Sequence, residues 1–415
     1  MNNINVLREI FLDFIVRGDT RLFDEKLSEN EWQTIVKWCK EHRLTYVFIH
    51  KVKQSNAVYS KLHNSHLEQL ENKANKAPLR QLKIQANLLH LHKILSENKI
   101  DYQVLKGSIL AFKYYPNATI RRMRDIDIIV KPQCFSQACT LLLEHGYVFG
   151  NNAQHINYDT YIASAKHAPH LIHPDFNIII EVHHRLCRPN LKPVKGELSA
   201  HPDFWQESDL VTVGNQSLPC ESPEMLLTHI IHHSVRENAF NNGPVFIFDL
   251  YFLMTNNPIR WDKFHDYCGY MDLHKEAAIA FSLLLYFYPE IEIGTGLNAS
   301  KDENKSFTIT PDATLINACK HLMLCDLEQK QYERLSSALQ SKSIKDKFTH
   351  LTKLLLPSKE KMNQHLGLNS SRYYWLLLPV WWLFLLKLLS TQFLGGDTNT
   401  KTTHELTALY RWLNK

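Results

Sequence analysis

The run VLKGSILAFKYYPNATIRRMRDIDIIV, residues 104–130, decides the fold. Its end, RDIDIIV, sets Asp125 and Asp127 one residue apart in a stretch that is otherwise apolar. In a β-strand, residues two apart point to the same face, so both carboxylates project side by side while Ile126 and Ile128 face the other way. Like charges held that close repel, and a cation is expected between them, either a divalent metal or an arginine.

Outward from this strand the hydrophobic period changes. IDYQVL (100–105) is short and β-rich, KGS breaks it, and ILAFKYY reads as a helix ended by Pro116-Asn117. Pro132 opens a helix with Phe135, Ala138 and Leu142 on one face, closed by His145-Gly146, where glycine suits a left-handed cap. FNIIIEVHHRL (176–186) is a third strand. Strand, helix, strand, helix, strand over residues 99–188 implies a small α/β unit. Upstream, residues 5–98 read as helical, with Ile84, Leu88, Leu91 and Leu95 at helical spacing. Past Pro189 the chain reads as loop-rich as far as Ser222-Pro223-Glu224, a helix start with serine as N-cap and proline in the first turn. Helical signals then run to the end, interrupted by polar loops near 299–306 and 395–403. No internal repeat is visible.

The chain has 415 residues, enough for two or three domains. Hydrophobic residues at 44% and charged residues at 21% describe a folded globular protein. A net charge of +5, spread over 47 basic and 42 acidic residues, gives no nucleic-acid coat, so no specific nucleic acid is expected as a partner. The eight cysteines show no C-x-x-C pair and read as reduced, mostly buried thiols. MNNINVLREIFLDFIVRG lacks the pattern of a signal peptide, so the expected location is the cytoplasm.

Three features of the α/β unit converge on one chemistry. Lys106-Gly107-Ser108 follows a strand and opens a helix, so the free amides of the turn and the positive end of the helix dipole make an anion site. Asp125 and Asp127 offer the oxygen ligands that Mg²⁺ prefers. Glu181 is an acid in the apolar strand NIIIEV, where a third metal contact would offset its burial. Two ions held by three carboxylates can polarise a phosphate and activate an attacking hydroxyl. Taken singly, each feature has an ordinary structural explanation; their order and spacing favour the joint reading.

A hydrophobic strand, then G-S, then hydrophobic-D-hydrophobic-D-hydrophobic, then a distant strand with a third acid resembles the nucleotidyltransferases of the DNA polymerase beta superfamily. More narrowly, VLKGS (104–108), RRMRDIDIIV (121–130) and IEVHHRL (180–186) look like the bacterial uncharacterised nucleotidyltransferase family. The likeness continues at LLTHIIHHS (226–234) and FIFDLYFLM (246–254). The resemblance implies an α+β fold: a small mixed-sheet nucleotidyltransferase core at 99–188, a helical N-terminal region at 1–98 and a mainly helical C-terminal domain at 189–415.

Carried over by position, Lys106, Gly107, Ser108 and Arg121 would bind the triphosphate of an NTP, ATP among them. Asp125, Asp127 and Glu181 would be catalytic and hold two Mg²⁺ ions, with Mn²⁺ as an alternative. His183 and Arg185 are expected on the acceptor side. His184 departs from the tryptophan often found in the family at that position, and the gap between Ser108 and Asp125 is longer than in many members of the superfamily. The reaction implied is transfer of an NMP to the hydroxyl of a small molecule, glycan precursor or protein. The alternative is a catalytically inactive module of the same fold, antitoxin-like or scaffolding.

His229, His232 and His233 have helical spacing that could ligate zinc, but a polar network in the core is the expected role, with one of them partnering Asp249. Arg122 and Arg124 are read either as solvated charges or as substrate contacts. The apolar stretch between Arg372 and Lys387 is shorter than the roughly 20 residues a bilayer span needs. It is expected as a piece ending near Leu378 and a helix from Pro379 to about Phe393, buried in the C-terminal domain, with peripheral membrane contact through its tryptophans as the alternative. No G-x-S-x-G, P-loop or dinucleotide fingerprint is present.

Overall fold

Alternation places the strands as expected and adds four more. In the computed structural model, β1 (Tyr102–Val104), β2 (Asp125–Val130), β3 (Val148–Phe149), β4 (Leu171–Ile172), β5 (Ile179–His183), β6 (Asp209–Val213) and β7 (Gln216–Cys220) form one mixed sheet in the order β3-β4-β5-β2-β1-β7-β6. The structure describes residues 4–24, 26–59, 65–150, 158, 162, 165–188, 195–293, 310–325, 352, 355–356, 375–383 and 398–414. The fold is α+β, with helical regions before and after the sheet. The chain divides into two compact units, Met1–Pro311 and Asp312–Lys415.

The register of the central strands positions the chemistry. β1 and β2 run antiparallel with Val104 opposite Ile128, and β2 and β5 run parallel with Asp127 opposite Glu181 and Ile129 opposite His183. Odd-numbered Asp125, Asp127, Glu181 and His183 therefore share one face. Ile126, Ile128, Ile180 and Val182 line the other, all fully buried. The helix Phe135–Glu144 packs behind β5, burying Phe135, Ala138 and Leu142. Adjacent histidines thus go opposite ways. His184 meets the Phe135 ring edge-on at 4.8 Å, so its position is an aromatic packing site on the helix side.

The segment read as loop after Pro189 contains the hairpin β6–β7, turned at Gly214-Asn215. β7 runs parallel to β1, so the sheet reaches well beyond residue 188. Lys113, on the helix that follows the K-G-S turn, pairs with Asp209 of β6. That helix is continuous from Gly107 to Tyr114, beginning as α and widening to π over Leu110–Tyr114.

The N-terminal helices are Ile4–Arg17, Glu29–Glu41, Thr45–Gln54, Asn56–Tyr59, Ser65–Ala74 and Ala77–Glu97. Ser28 and Glu31 form a reciprocal cap at the start of Glu29–Glu41. Ile84, Leu88, Leu91 and Leu95 are buried, as their spacing predicts. Arg80 of Ala77–Glu97 donates to the carbonyls of Met123 and Arg124 and so fixes the approach to β2. None of the eight cysteines forms a disulfide, and all but Cys134 are buried.

In the second unit, Asp312 caps the helix Ala313–Met323 by accepting from the Leu315 amide at 2.7 Å. The expected polar loop at 395–403 overlaps the helix Thr398–Leu413, where polar residues occupy helical positions; the loop near 299–306 lies outside the described residues. The apolar stretch is a helix over 375–383 that passes through Pro379 instead of dividing there. Burial holds for Leu378 and Trp381 only in part of the stretch: Trp375 and Leu376 are 75% and 73% exposed, and Val380, Trp382 and Leu383 are exposed beside them. Trp382, on the exposed side, donates its indole hydrogen to the Leu355 carbonyl at 2.9 Å. Among the described residues, no helix is long and apolar enough to cross a membrane.

Candidate active site

The site grows from the turn between β1 and the helix after it. Lys106 has φ 44° and ψ −111°, a left-handed backbone that a non-glycine residue adopts only under constraint. Two contacts hold it: its amide donates to Glu221 Oε2 at 3.4 Å, and its Nζ donates to Asp127 Oδ1 at 3.1 Å. Glu221, fully buried at the end of β7, is held in turn by His229 Nδ1 at 2.7 Å. The turn thus delivers a buried ammonium to the acids and leaves Gly107 and Ser108 at the helix start.

The acids converge as the strand register dictates. His183 Nε2 lies 2.9 Å from Asp127 Oδ1 and 3.3 Å from Glu181 Oε2, bridging neighbouring strands from a fully buried position. Glu181 also meets His170 Nε2 at 3.0 Å and His167 Nε2 at 3.7 Å. Asp125 forms no hydrogen bond or ion pair with any described residue. Burial, and then the charges of Asp127 and Glu181, push its carboxyl above the usual carboxylate range. Burial also acts on Asp127, but the Lys106 ammonium and the His183 hydrogen bond outweigh it and hold Asp127 well below that range. Glu181 is likewise held low against burial by its bonds to His170 and His183.

The structure therefore brings Lys106, Asp125, Asp127, Glu181 and His183 together and sets Gly107 and Ser108 at the edge of the group. His183, expected on the acceptor side, is fully buried, with Nε2 against both Asp127 and Glu181. Arg185 stands farther along, donating to the Ile162 carbonyl at 3.2 Å. Arg121 turns its fork to Asp249, with Nε 2.6 Å from Oδ1 and Nη2 2.9 Å from Oδ2, while Tyr115 donates to the same Oδ1 at 2.6 Å. The expected histidine partner for Asp249 is thereby corrected: the helix Val245–Thr255 packs on the helix that follows the K-G-S turn, which points Asp249 toward Tyr115 and Arg121. Arg121 Nη1 still lies close to Gly107, 3.8 Å from where a side chain there would begin.

The helical histidines go to three separate partners. His229 bonds Glu221, His233 bonds Glu237 at 3.0 Å, and His232 Nδ1 lies 3.9 Å from Cys187 Sγ. Glu237 also pairs with the buried Lys166 at 2.9 Å. His232 and His233 fall on a π-helical stretch, His232–Glu237, a geometry common at functional sites.

The profile of a family described as "uncharacterised nucleotidyltransferase" matches residues 28–289. The chain belongs to that family. It is a nucleotidyltransferase, and the matched span takes in the whole sheet, the N-terminal helices from Glu29 on and the helices that carry His229 and Asp249. No curated protein matches the chain.

For this nucleotidyltransferase, reading the sequence missed His167 and His170, although H-x-x-H in KHAPH was visible. That spacing brings two imidazoles to one face on a helix, and these residues lie outside any helix. Glu221 was missed as well; it has no local signal, since its task is set by β7 lying beside β1. Asp125 suits a divalent cation: it is a carboxylate beside two others, and it makes no hydrogen bond or ion pair with any described residue. The acids suit such an ion by donor type, as oxygen ligands.

Proposed function

We propose that this nucleotidyltransferase moves an NMP from an NTP to a hydroxyl of a small molecule, glycan precursor or protein, releasing pyrophosphate. The unpartnered Asp125 beside Asp127 and Glu181 carries the reading. Asp125 and Asp127 would hold two Mg²⁺, or Mn²⁺ in their place, and Glu181 would share the ion on the acceptor side. These ions would supply charge for the phosphate oxygens and lower the pKa of the attacking hydroxyl.

The rest falls to the chain itself. Lys106 presents a permanent positive charge beside Asp127, and the amides at Gly107 and Ser108 offer donors to phosphate oxygens. His183 holds the Asp127 and Glu181 carboxylates in orientation. Arg121 keeps the turn in place through Asp249 and extends Nη1 toward Gly107 for the triphosphate. Arg185 would stand on the acceptor side. ATP is the first nucleotide to test and the cytoplasm the proposed location.

Purified protein should release pyrophosphate from an NTP only with a divalent ion, over a panel of acceptors, and Asp125→Asn or Asp127→Asn should abolish it. Nucleotide binding without release under any condition would favour the inactive module instead. The exposed Trp375, Leu376, Trp382 and Leu383 favour one further contact, with a membrane surface. Co-flotation with liposomes that is lost in Trp375→Ser/Trp382→Ser tests it.

A further inference from the structure

Glu181 is flanked by two histidines that the reading above does not use. His167 Nδ1 lies 2.7 Å from the Ala168 carbonyl, so it carries the hydrogen and donates it there. That anchors the ring so that Nε2 faces Glu181 Oε2 at 3.7 Å. At that distance the two atoms make no hydrogen bond, and both face the space where a cation would take them as ligands. His170 Nε2 approaches the other oxygen of Glu181 at 3.0 Å, and the two imidazoles stack at 5.6 Å, inclined by 21°.

Backbone pairing fixes both rings. His167 pairs with His183 across an isolated bridge, the Ala168 amide donates to Val182 and the His184 amide to Lys166, all along β5. The His170 carbonyl accepts from the Gly150 amide. The donor atoms of His167, His170 and Glu181 lie within 4.8 Å of one another. The His170 side chain is 46% exposed, so an ion can enter from solvent and keep a position open.

We propose that His167, His170 and Glu181 form a second metal site beside the Asp125–Asp127 pair, with the Glu181 carboxylate shared between the two, which takes an imidazole-preferring divalent ion such as Zn²⁺. Two imidazoles and one carboxylate with an open position are a ligand set that suits zinc, whereas Mg²⁺ prefers oxygen alone. A backbone carbonyl on the distal nitrogen of a ligating histidine is the usual support for such a ligand. The open position would take a water or an oxygen of the acceptor. The site does not depend on the transfer reaction, and it can be read without nucleotide.

The full chain, stripped with a chelator, is titrated with Co²⁺ as a spectroscopic probe and then with Zn²⁺ in competition. The expected result is a visible Co²⁺ band displaced by Zn²⁺ and unaffected by excess Mg²⁺. His170→Gln and His167→Gln should each weaken Co²⁺ binding by at least about tenfold, while Asp125→Asn keeps it. Circular dichroism establishes that each variant is folded, and the exposed His170 is the substitution least able to disturb the fold. Binding unchanged in both histidine variants, loss of binding in Asp125→Asn, or no Co²⁺ band in the wild type would each overturn the proposal. Failure of pyrophosphate release in an activity assay would leave this readout untouched.

Discussion

Arg121 and Asp249 form a two-pronged ion pair across 128 residues of chain, at 2.6 and 2.9 Å, with both side chains largely buried. Tyr115 completes the acid's partners. Breaking such a pair from one side strands a charge, so Asp249→Ala should cost about 3–5 kcal/mol in urea unfolding. Arg121→Lys should recover little, since an ammonium cannot reproduce the fork. A double variant, Arg121→Met with Asp249→Leu, should be clearly less destabilised than Asp249→Ala alone. Equal losses in both would mean the pair does not act as a unit.

Asp125 supplies a test of the site that needs no substrate. Without divalent ion, Asp125→Asn should raise the melting temperature, because it removes a repelling charge next to Asp127 and Glu181. With Mg²⁺ present, the order should reverse: an ion at a hundred times its Kd stabilises the wild type by about 2.7 kcal/mol. Differential scanning calorimetry at several Mg²⁺ concentrations reads both arms.

Glu181→Gln separates binding from chemistry. Its contribution is expected mainly in the transition state, so turnover should fall by several orders while NTP affinity stays nearly intact. Parallel loss of affinity and turnover would make Glu181 a structural residue.

His232 predicts a slope in stability. Burial pushes its imidazole down to about 3, against an ordinary value of 6.5. Between those two values the unfolded chain holds a proton that the folded chain refuses, so stability is complete above pH 6.5 and declines as pH falls. The decline from this group is about 1.4 kcal/mol per pH unit. Urea midpoints at pH 7, 6 and 5 should show a shallower decline for His232→Gln than for wild type. An identical decline would refute the assignment.

How much was legible in the sequence depended on the distance over which each feature is set. The acids of RDIDIIV and Glu181 were readable because strand alternation alone puts Asp125 and Asp127 on one face. Ser222 and Pro223 likewise announce their helix locally, and the Ser222 side chain accepts from the Met225 amide as expected. The hairpin at 209–220 was missed although Gly214-Asn215 is a turn signal, because Pro219 sits inside a strand and Leu210 faces outward at 57% exposure. Asp249 was given the wrong partner because nothing local distinguishes a histidine one helix away from an arginine 128 residues back. His167 and His170 needed the bridge to β5 before their spacing meant anything.

Because β1 lies between β2 and β7, a fragment ending near residue 188 would hold every proposed catalytic acid and still be badly made. The outer edge of β1 would lose its neighbour and present bare amides and carbonyls, a template for other chains to add to. The same cut would take Glu221 away from the Lys106 amide and free a backbone that only constraint keeps in its left-handed shape. Such a fragment should precipitate, and soluble truncations should begin only where the chain continues past Cys220.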